Sequence, residues 1–508
     1  MSARPNTSKG TVLALACAAQ FMVILDVAIV NVALPTIQRD LHISKSTLEW
    51  IVVAYGLVLG GFVLLGGRLA DRIGRRRVLL TGLTLFTSAS LLAGAAGSAE
   101  LLIGARALQG LGAALIPPAA LAIIAVTFNE GAERNRAIGI YGAVTGISAS
   151  VGVLASGLIT DGPGWRWVFL LNVPLGIVLI LTATAFLDRD SRDSQANDRF
   201  DLAGALTLTS GLMLLVYATN RSAIDGWDSQ SAVGSFAVSF AMLTAFVAIE
   251  LRSRSPLLPG AVFRNRVLVA SNIAAFFTFG GFLTFIFLGS QFMQHVLGYS
   301  PTQTGLAWLA TTVPSFFAAA ISGGKLVPAI GVRRVLMGGM SLLAITAVMM
   351  TRISPRAHFA TATLPALLLA GVAGGVSAPA ATIGALSGAA ESISGTAAGL
   401  LETMREIGGA IGVAAVSTVL VSWAGNGTSA ANPTAPGQPG TAAFHAAFWV
   451  IFAAALTGAL TAAIGLPSRP GSPAHSTVAA RRRTGLSNNG TAASAEDDLA
   501  PASTQSPA

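Results

Sequence analysis

Apolar stretches of membrane length recur along almost all of this 508-residue chain, and nothing constrains its fold more. A helix crosses a bilayer core with ~20 predominantly apolar residues. Read against the polar breaks, the runs predict helices at 11–34, 47–67, 78–97, 101–128, 137–160, 167–187 and 201–219. A second set is predicted at 232–250, 267–292, 302–323, 334–351, 359–385, 397–422 and 444–466. The expected class is an all-α polytopic membrane protein of about fourteen spans. With 53% hydrophobic and only 10% charged residues, a soluble globular chain is excluded. The net charge of +9 would suggest a nucleic-acid partner in a soluble protein. Here the arginines lie mainly in alternate short loops, where topology explains them, and no nucleic-acid partner is expected. The first run is of full membrane length and leads into further spans, so no cleaved signal peptide is expected. The single cysteine, Cys17, allows no intrachain disulfide.

Sorting Lys and Arg by these spans puts 23 on the side of both termini and 6 on the other, with Arg106 and Arg405 inside helices. Cytoplasmic loops carry the excess of positive charge, so a multi-pass protein of the cell membrane with both termini cytoplasmic is expected. One cytoplasmic loop, GGRLADRIGRRR (Gly66 to Arg77), returns in worn form as GKLVPAIGVRR (Gly324 to Arg334). Aligned on Gly67 and Gly324, the copies share Ile73 with Ile330, Gly74 with Gly331, and Arg76 and Arg77 with Arg333 and Arg334, whereas Asp71 becomes Pro328. A weak internal repeat in a membrane chain marks a two-bundle transporter. The predicted organisation is an N-terminal six-helix bundle over 11–187, an inserted helix pair over 201–250 and a C-terminal six-helix bundle over 267–466. A disordered cytoplasmic tail is expected over 467–508 and a mobile outer loop over 423–441.

Asp26 stands alone in AQFMVILDVAIVNVALP, with no other charge between Lys9 and Arg39. A carboxylate at such depth costs ~2.5–3.5 kcal/mol on insertion scales. It persists only by facing a bundle interior, taking up a proton or finding a cation, and Arg106 lies at similar predicted depth. Burial favours the neutral acid and a neighbouring guanidinium the carboxylate, so a cavity that opens and closes would switch the proton on and off. The competing reading is a static ion pair joining two helices. A second cluster, Glu402, Arg405 and Glu406 in GLLETMREIGGAIG, has spacings of three and four that place Glu402 on one helical face with both others. It is either a second proton or cation site or an interfacial network reaching water.

Gly142, Gly146, Gly152 and Gly157 stud the fifth predicted helix. Small residues at such intervals let membrane helices approach closely, for packing alone or to seal a pathway. Trp50, Tyr55 and Phe21 are candidates to line that pathway, with lipid-facing or interfacial packing as the alternative. No phosphate-binding Gly-x-x-x-x-Gly-Lys-Ser/Thr loop, His-Glu-x-x-His or paired-cysteine metal site occurs. Neither enzymatic activity nor a cofactor or metal is expected, and energy must come from an ion gradient or a partner subunit.

The Gly67–Arg77 loop resembles the signature between the second and third helices of the major facilitator superfamily. LDVAIVNVALP (25–35), RALQGLGAA (106–114), WRWVFLLNVPLG (165–176), FDLAG (200–204) and QHVLGYSPTQTGL (294–306) together resemble its fourteen-helix drug:proton antiporter branch. The likeness spans roughly residues 11 to 466. It implies two six-helix bundles around a central cavity, with the inserted pair packed beside them. It also implies multidrug or antibiotic efflux, with amphipathic, often cationic, compounds exchanged for protons, and hence drug resistance. Asp26 and Arg106 would join the proton-coupling site, with Glu402 and Glu406 as further acids. Asp71 would bridge to a neighbouring helix in a cytoplasmic latch that includes Gly67, Arg72, Gly74, Arg75 and Arg76. The chain departs from the family in one motif. The fifth-helix antiporter sequence usually ends Gly-Pro-x-x-Gly-Gly, whereas here it reads Gly152-Val153-Leu154-Ala155-Ser156-Gly157. Without the proline this helix should bend less. The expected partners are a hydrophobic or cationic small molecule, protons and membrane lipid, with the protein acting as a monomer. The alternative function is a proton-coupled importer of a small solute.

Overall fold

Polar punctuation sets where the helices begin. Ser8, Ser44, Ser98, Ser229 and Ser300 each accept a hydrogen bond from a backbone N–H three residues on, satisfying a donor that the first helical turn leaves free. The computed structural model describes residues 8–188, 201–253, 256–425 and 440–467. The expected tail beyond Pro467 and the centre of the expected mobile loop, 426–439, lie outside the described residues. Among the described residues there is no strand. The helices are α1 (Lys9–Asp40), α2 (Lys45–Ile73), α3 (Arg75–Gly94), α4 (Ala99–Thr127), α5 (Ala132–Asp161), α6 (Arg166–Leu170), α7 (Asn172–Phe186) and α8 (Leu202–Asp225). They continue as α9 (Gln230–Glu250), α10 (Gly260–Arg264), α11 (Arg266–His295), α12 (Pro301–Ile321), α13 (Val327–Met350), α14 (Leu364–Leu386), α15 (Ser394–Gly425) and α16 (Thr441–Gly465).

Twelve helical stretches among the described residues are long and apolar enough to cross a membrane. One of them, Thr302–Met350, has 49 residues. At ~1.5 Å per residue it is more than twice the thickness of a bilayer core, so it crosses twice. Its halves meet at Gly331, whose φ of 82° and ψ of 158° are not helical. Adding α5, 30 residues long, gives the fourteen crossings expected.

The two copies of the loop share a backbone feature. Gly74, between α2 and α3, has φ 107° and ψ 138°, nearly the conformation of its counterpart Gly331. A side chain is strained at positive φ, which explains why glycine survives at this position in both copies. The copies differ otherwise. The expected loop over 323–334 is largely helical, with a π turn over Ser322–Leu326 that leads straight into α13. Two other boundaries differ from expectation. α1 continues through Pro35 to Asp40 rather than ending at 34, and the sixth span is broken at Leu171 into α6 and α7.

In the first bundle α1 packs on α5, α4 receives α2 and α3, and α3 also meets α7. In the second, α11 packs on α14, α15 and α16, while α14 receives α12 and α13. The bundles meet along two seams, α2 with α15 and α5 with α12. α8 and α9 form a hairpin whose α8 leans on both α2 and α15, so the inserted pair straddles one seam. Outward-facing apolar side chains such as Phe240 and Leu181 stay exposed, as a surface solvated by lipid requires.

Candidate functional site

Asp26 on α1 and Arg106 on α4 are both fully buried, and Arg106 Nη1 donates to Asp26 Oδ2 at 2.5 Å. The cation expected for Asp26 is therefore its partner. The other oxygen, Oδ1, accepts from Gln109 Nε2 at 3.1 Å and from Asn172 Nδ2 of α7 at 2.8 Å. Gln109 Nε2 also donates to Ser90 Oγ of α3 at 2.7 Å, and its Oε1 accepts from Arg106 Nη1 at 2.9 Å. Arg106 Nε donates to the carbonyl of Ile51 on α2 at 3.2 Å, and its guanidinium lies 4.2 Å from the centre of the Tyr55 ring. The network around this carboxylate thus ties five helices together. Three donors converge on the carboxylate. Neither side chain of the pair is exposed to solvent.

Gln109, Asn172 and Ser90 were not singled out in the sequence. Gln109 stands three residues from Arg106, on the same helical face. Asn172 lies inside WRWVFLLNVPLG. Both signals were present, but neutral polar side chains in membrane helices more often bond their own backbone. Asn272, for instance, donates to Leu268 O at 2.8 Å.

The second cluster lies in the first half of α15. α15 begins at Ser394, which puts Glu402 about 12 Å and Glu406 about 18 Å along the helix. Glu402 is buried there, whereas Arg405 and Glu406 are partly buried. Arg405 Nη1 donates to Glu402 Oε1 at 2.6 Å and stacks 3.9 Å from the Phe279 ring centre, with both side chains largely buried. Glu406 forms no ion pair within 4 Å among the described residues. It faces a cavity of about 240 Å³ whose other walls come from α2, α8, α11 and α15. Of the three aromatic candidates, Tyr55 is buried, Phe21 packs partly buried on the α1–α4 core, and Trp50 is half-exposed, stacked on Tyr217 of α8 at 6.3 Å.

The loop residues assemble into a clamp between bundles. Asp71 Oδ1 accepts from Gly395 N at 2.7 Å, and Oδ2 accepts from Thr396 N at 2.6 Å and Thr396 Oγ1 at 2.7 Å. These are first-turn donors of α15, where a carboxylate also meets the positive end of the helix dipole. Arg75 donates to the carbonyl of Glu391 and lies 3.6 Å from its carboxylate. Arg76 donates to Thr184 O of α7 at 2.9 Å, and Arg72 is partly buried beside them. Gly67 allows the contact, because a Cβ there would lie 2.2 Å from Gly395 O. The α5–α12 seam is closed at the same end, where a Cβ on Gly323 would meet Gly139 Cα at 2.6 Å. Along α5, Gly142 faces Pro379, Gly146 faces Ser315, and Gly152 lies against Ala28 of α1. The helix is continuous from Ala132 to Asp161. Gly157 falls within it, with surroundings outside the described residues.

Residues 16–413 match the model of the Major Facilitator Superfamily. The chain is 38% identical to the puromycin resistance protein of Streptomyces alboniger over 418 residues, covering 82% of each chain. It is 34% identical to the cephamycin export protein of Amycolatopsis lactamdurans, covering 89% of this chain and 92% of that one. Among solved structures it resembles the human organic anion transporter TETRAN, with a TM-score of 0.61 and 16% identity, covering 89% of this chain and all of that one. The likeness in fold, the repeated loop and the relatives agree: this multi-pass membrane protein belongs to the major facilitator superfamily.

Proposed function

We propose that the protein exports amphipathic, commonly cationic, antibiotics or drugs in exchange for protons, from a cell membrane in which both termini face the cytoplasm. The observation that carries this reading is Asp26, a fully buried carboxylate held by Arg106, Gln109 and Asn172. The names of the relatives, resistance to puromycin and export of cephamycin, support efflux as the direction. The excess of arginine at the Gly67–Arg77 end makes that end cytoplasmic, and its two closed seams then describe a transporter shut towards the cytoplasm. Two six-helix bundles rock about a site at their interface. A proton reaching Asp26 from outside weakens its hold on Arg106 and the two amides, loosening the first bundle. Release of the proton inside restores the network. The Asp71 clamp holds the cytoplasmic end shut in the other half of the cycle.

Proteoliposomes given a proton gradient test this. A lipophilic cation should move uphill while protons move the opposite way. Asp26→Asn should abolish that coupling while the protein still inserts. Parallel movement of the two species identifies an importer, and full transport by Asp26→Asn rejects the role of the acid.

A further inference from the structure

The cavity beside Glu406 has a wall that the two bundles do not supply. It is lined by Gly56 of α2, Val216 and Thr219 of α8, Leu283 of α11, and the turn of α15 that carries Glu406 itself. α8 reaches this position because α2 makes room for it. A Cβ on Gly61 would lie 2.4 Å from Met213 Cγ, and one on Gly60 would lie 3.2 Å from Val216 Cγ2. Stacking of Trp50 on Tyr217 fixes α8 to the first bundle, and a hydrogen bond from Trp227 Nε1 to Thr418 Oγ1 fixes the hairpin to the second.

The chemistry of the lining selects its occupant. Among the described residues Glu406 is the only charged group in it, and the rest of the lining is small or apolar apart from Thr219. The Thr219 hydroxyl is already donated to Leu215 O at 2.7 Å. A hard metal ion needs about six oxygens, which this lining does not offer. An organic cation with diffuse charge sheds water at small cost and needs only one counter-ion in an apolar box. A cavity of about 240 Å³ is smaller than the ~300–1,000 Å³ that encloses a whole drug-sized ligand. It suits the charged head of a larger amphiphile whose remainder lies in the pathway.

We propose that α8 of the inserted pair forms one wall of a subsite for the cationic head group of the substrate, with Glu406 as counter-ion and Val216 and Thr219 setting the size of group admitted. The proposal rests on the reading of the protein as an exporter of amphipathic compounds. It gives the inserted pair a part in selecting substrates as well as in packing.

The test is equilibrium binding of tetraphenylphosphonium to the purified full-length protein in nanodiscs. Glu406→Gln should lose measurable binding. Val216→Phe and Thr219→Phe, which fill the α8 wall, should each weaken binding at least tenfold. Leu206→Phe, on the exposed face of the same helix, should bind within twofold of the unaltered protein. If the bulky variants do not fold, Val216→Ala widens the pocket and should raise affinity for this bulky ion at least threefold. Retained affinity in both Phe variants, or no gain in Val216→Ala, overturns the proposal even when Glu406→Gln loses binding, because the cation is then held without α8. Unchanged binding in Glu406→Gln overturns it as well. Proton-linked transport in vesicles, read through Asp26→Asn, stands or falls separately from all of these results.

Discussion

Tyr55 is the residue whose surroundings ask most for an explanation. Its ring lies beneath Arg106 and its hydroxyl is buried, yet among the described residues that hydroxyl has no hydrogen-bond partner. A buried, unsatisfied hydroxyl costs ~1–3 kcal/mol, whereas the ring face that attracts the guanidinium is nearly the same in phenylalanine. Tyr55→Phe should therefore melt no lower than the unaltered protein, with a gain of up to about 1 kcal/mol in thermal unfolding. A loss of that size would mean that the hydroxyl has a partner. Asp40, outside the spans, makes the opposite kind of prediction. Trp165 Nε1 donates to it at 2.9 Å and Arg166 at 2.8 Å, and these two bonds, Trp165 first, hold its carboxyl below the usual range. A lowered folded value means that the contribution is complete above the unfolded value of ~3.9 and fades as pH falls through the folded one. The melting-temperature gap between the unaltered protein and Asp40→Asn should stay constant from about pH 8 to pH 5 and close only below about pH 4. A gap that already closes between pH 7 and 5 contradicts the assignment. Residue by residue, the charged members of the site were legible because a lone charge in oil must find a partner. Asp26 and Arg106 were found in this way. Gln109 and Asn172 were not, because nothing in a linear sequence tells an amide that bonds its own helix from one that reaches across to another.

At the scale of helices, apolar length was enough to place all fourteen crossings, because lipid leaves the backbone no alternative to the helix. The ends were harder to place. Outside the hydrocarbon, polar residues such as Arg39 prolong a helix as well as apolar ones do, so α1 runs on through Pro35. The start of α15 was misplaced for a related reason. α15 begins before its apolar run, its first turn capped by Asp71, which lies far away in the sequence. That cap and the glycine seam beneath it lead to a prediction about conformation. Gly67→Ala puts a methyl group where the carbonyl of Gly395 now sits, and overpacking of this kind costs ~1–3 kcal/mol. The cost falls only on the orientation with this seam closed, so the balance should shift roughly 5- to 150-fold towards the one with it open. Spin labels on Ile73→Cys and Ser392→Cys, read by pulsed electron resonance, should report a longer distance in Gly67→Ala than in the parent. Identical distance distributions would show that the seam yields without opening.

At the scale of the whole molecule, the two acid sites differ in charge balance, and that difference sets what drives transport. In formal charge Asp26 and Arg106 cancel each other, whereas Glu402, Arg405 and Glu406 leave one negative charge. A proton and a monovalent organic cation neutralise Glu406 equally well, so exchange there alone moves no net charge. If Asp26 carries a second proton on each cycle, export of one monovalent cation brings one net positive charge inward. A potential of 100 mV then contributes ~2.3 kcal/mol, about a 50-fold gradient of the exported ion, even with no difference in pH. The proposed roles of the two acids predict this electrogenic outcome. In proteoliposomes at equal pH on both faces, a potassium diffusion potential that is negative on the side bearing the termini should drive tetraphenylphosphonium out towards the opposite face, against the direction in which the potential alone would push it. Reversing the potential should reverse the flow. Movement indifferent to voltage but responsive to pH would mean that a single acid turns over, leaving the Asp26 network as a fixed joint between helices.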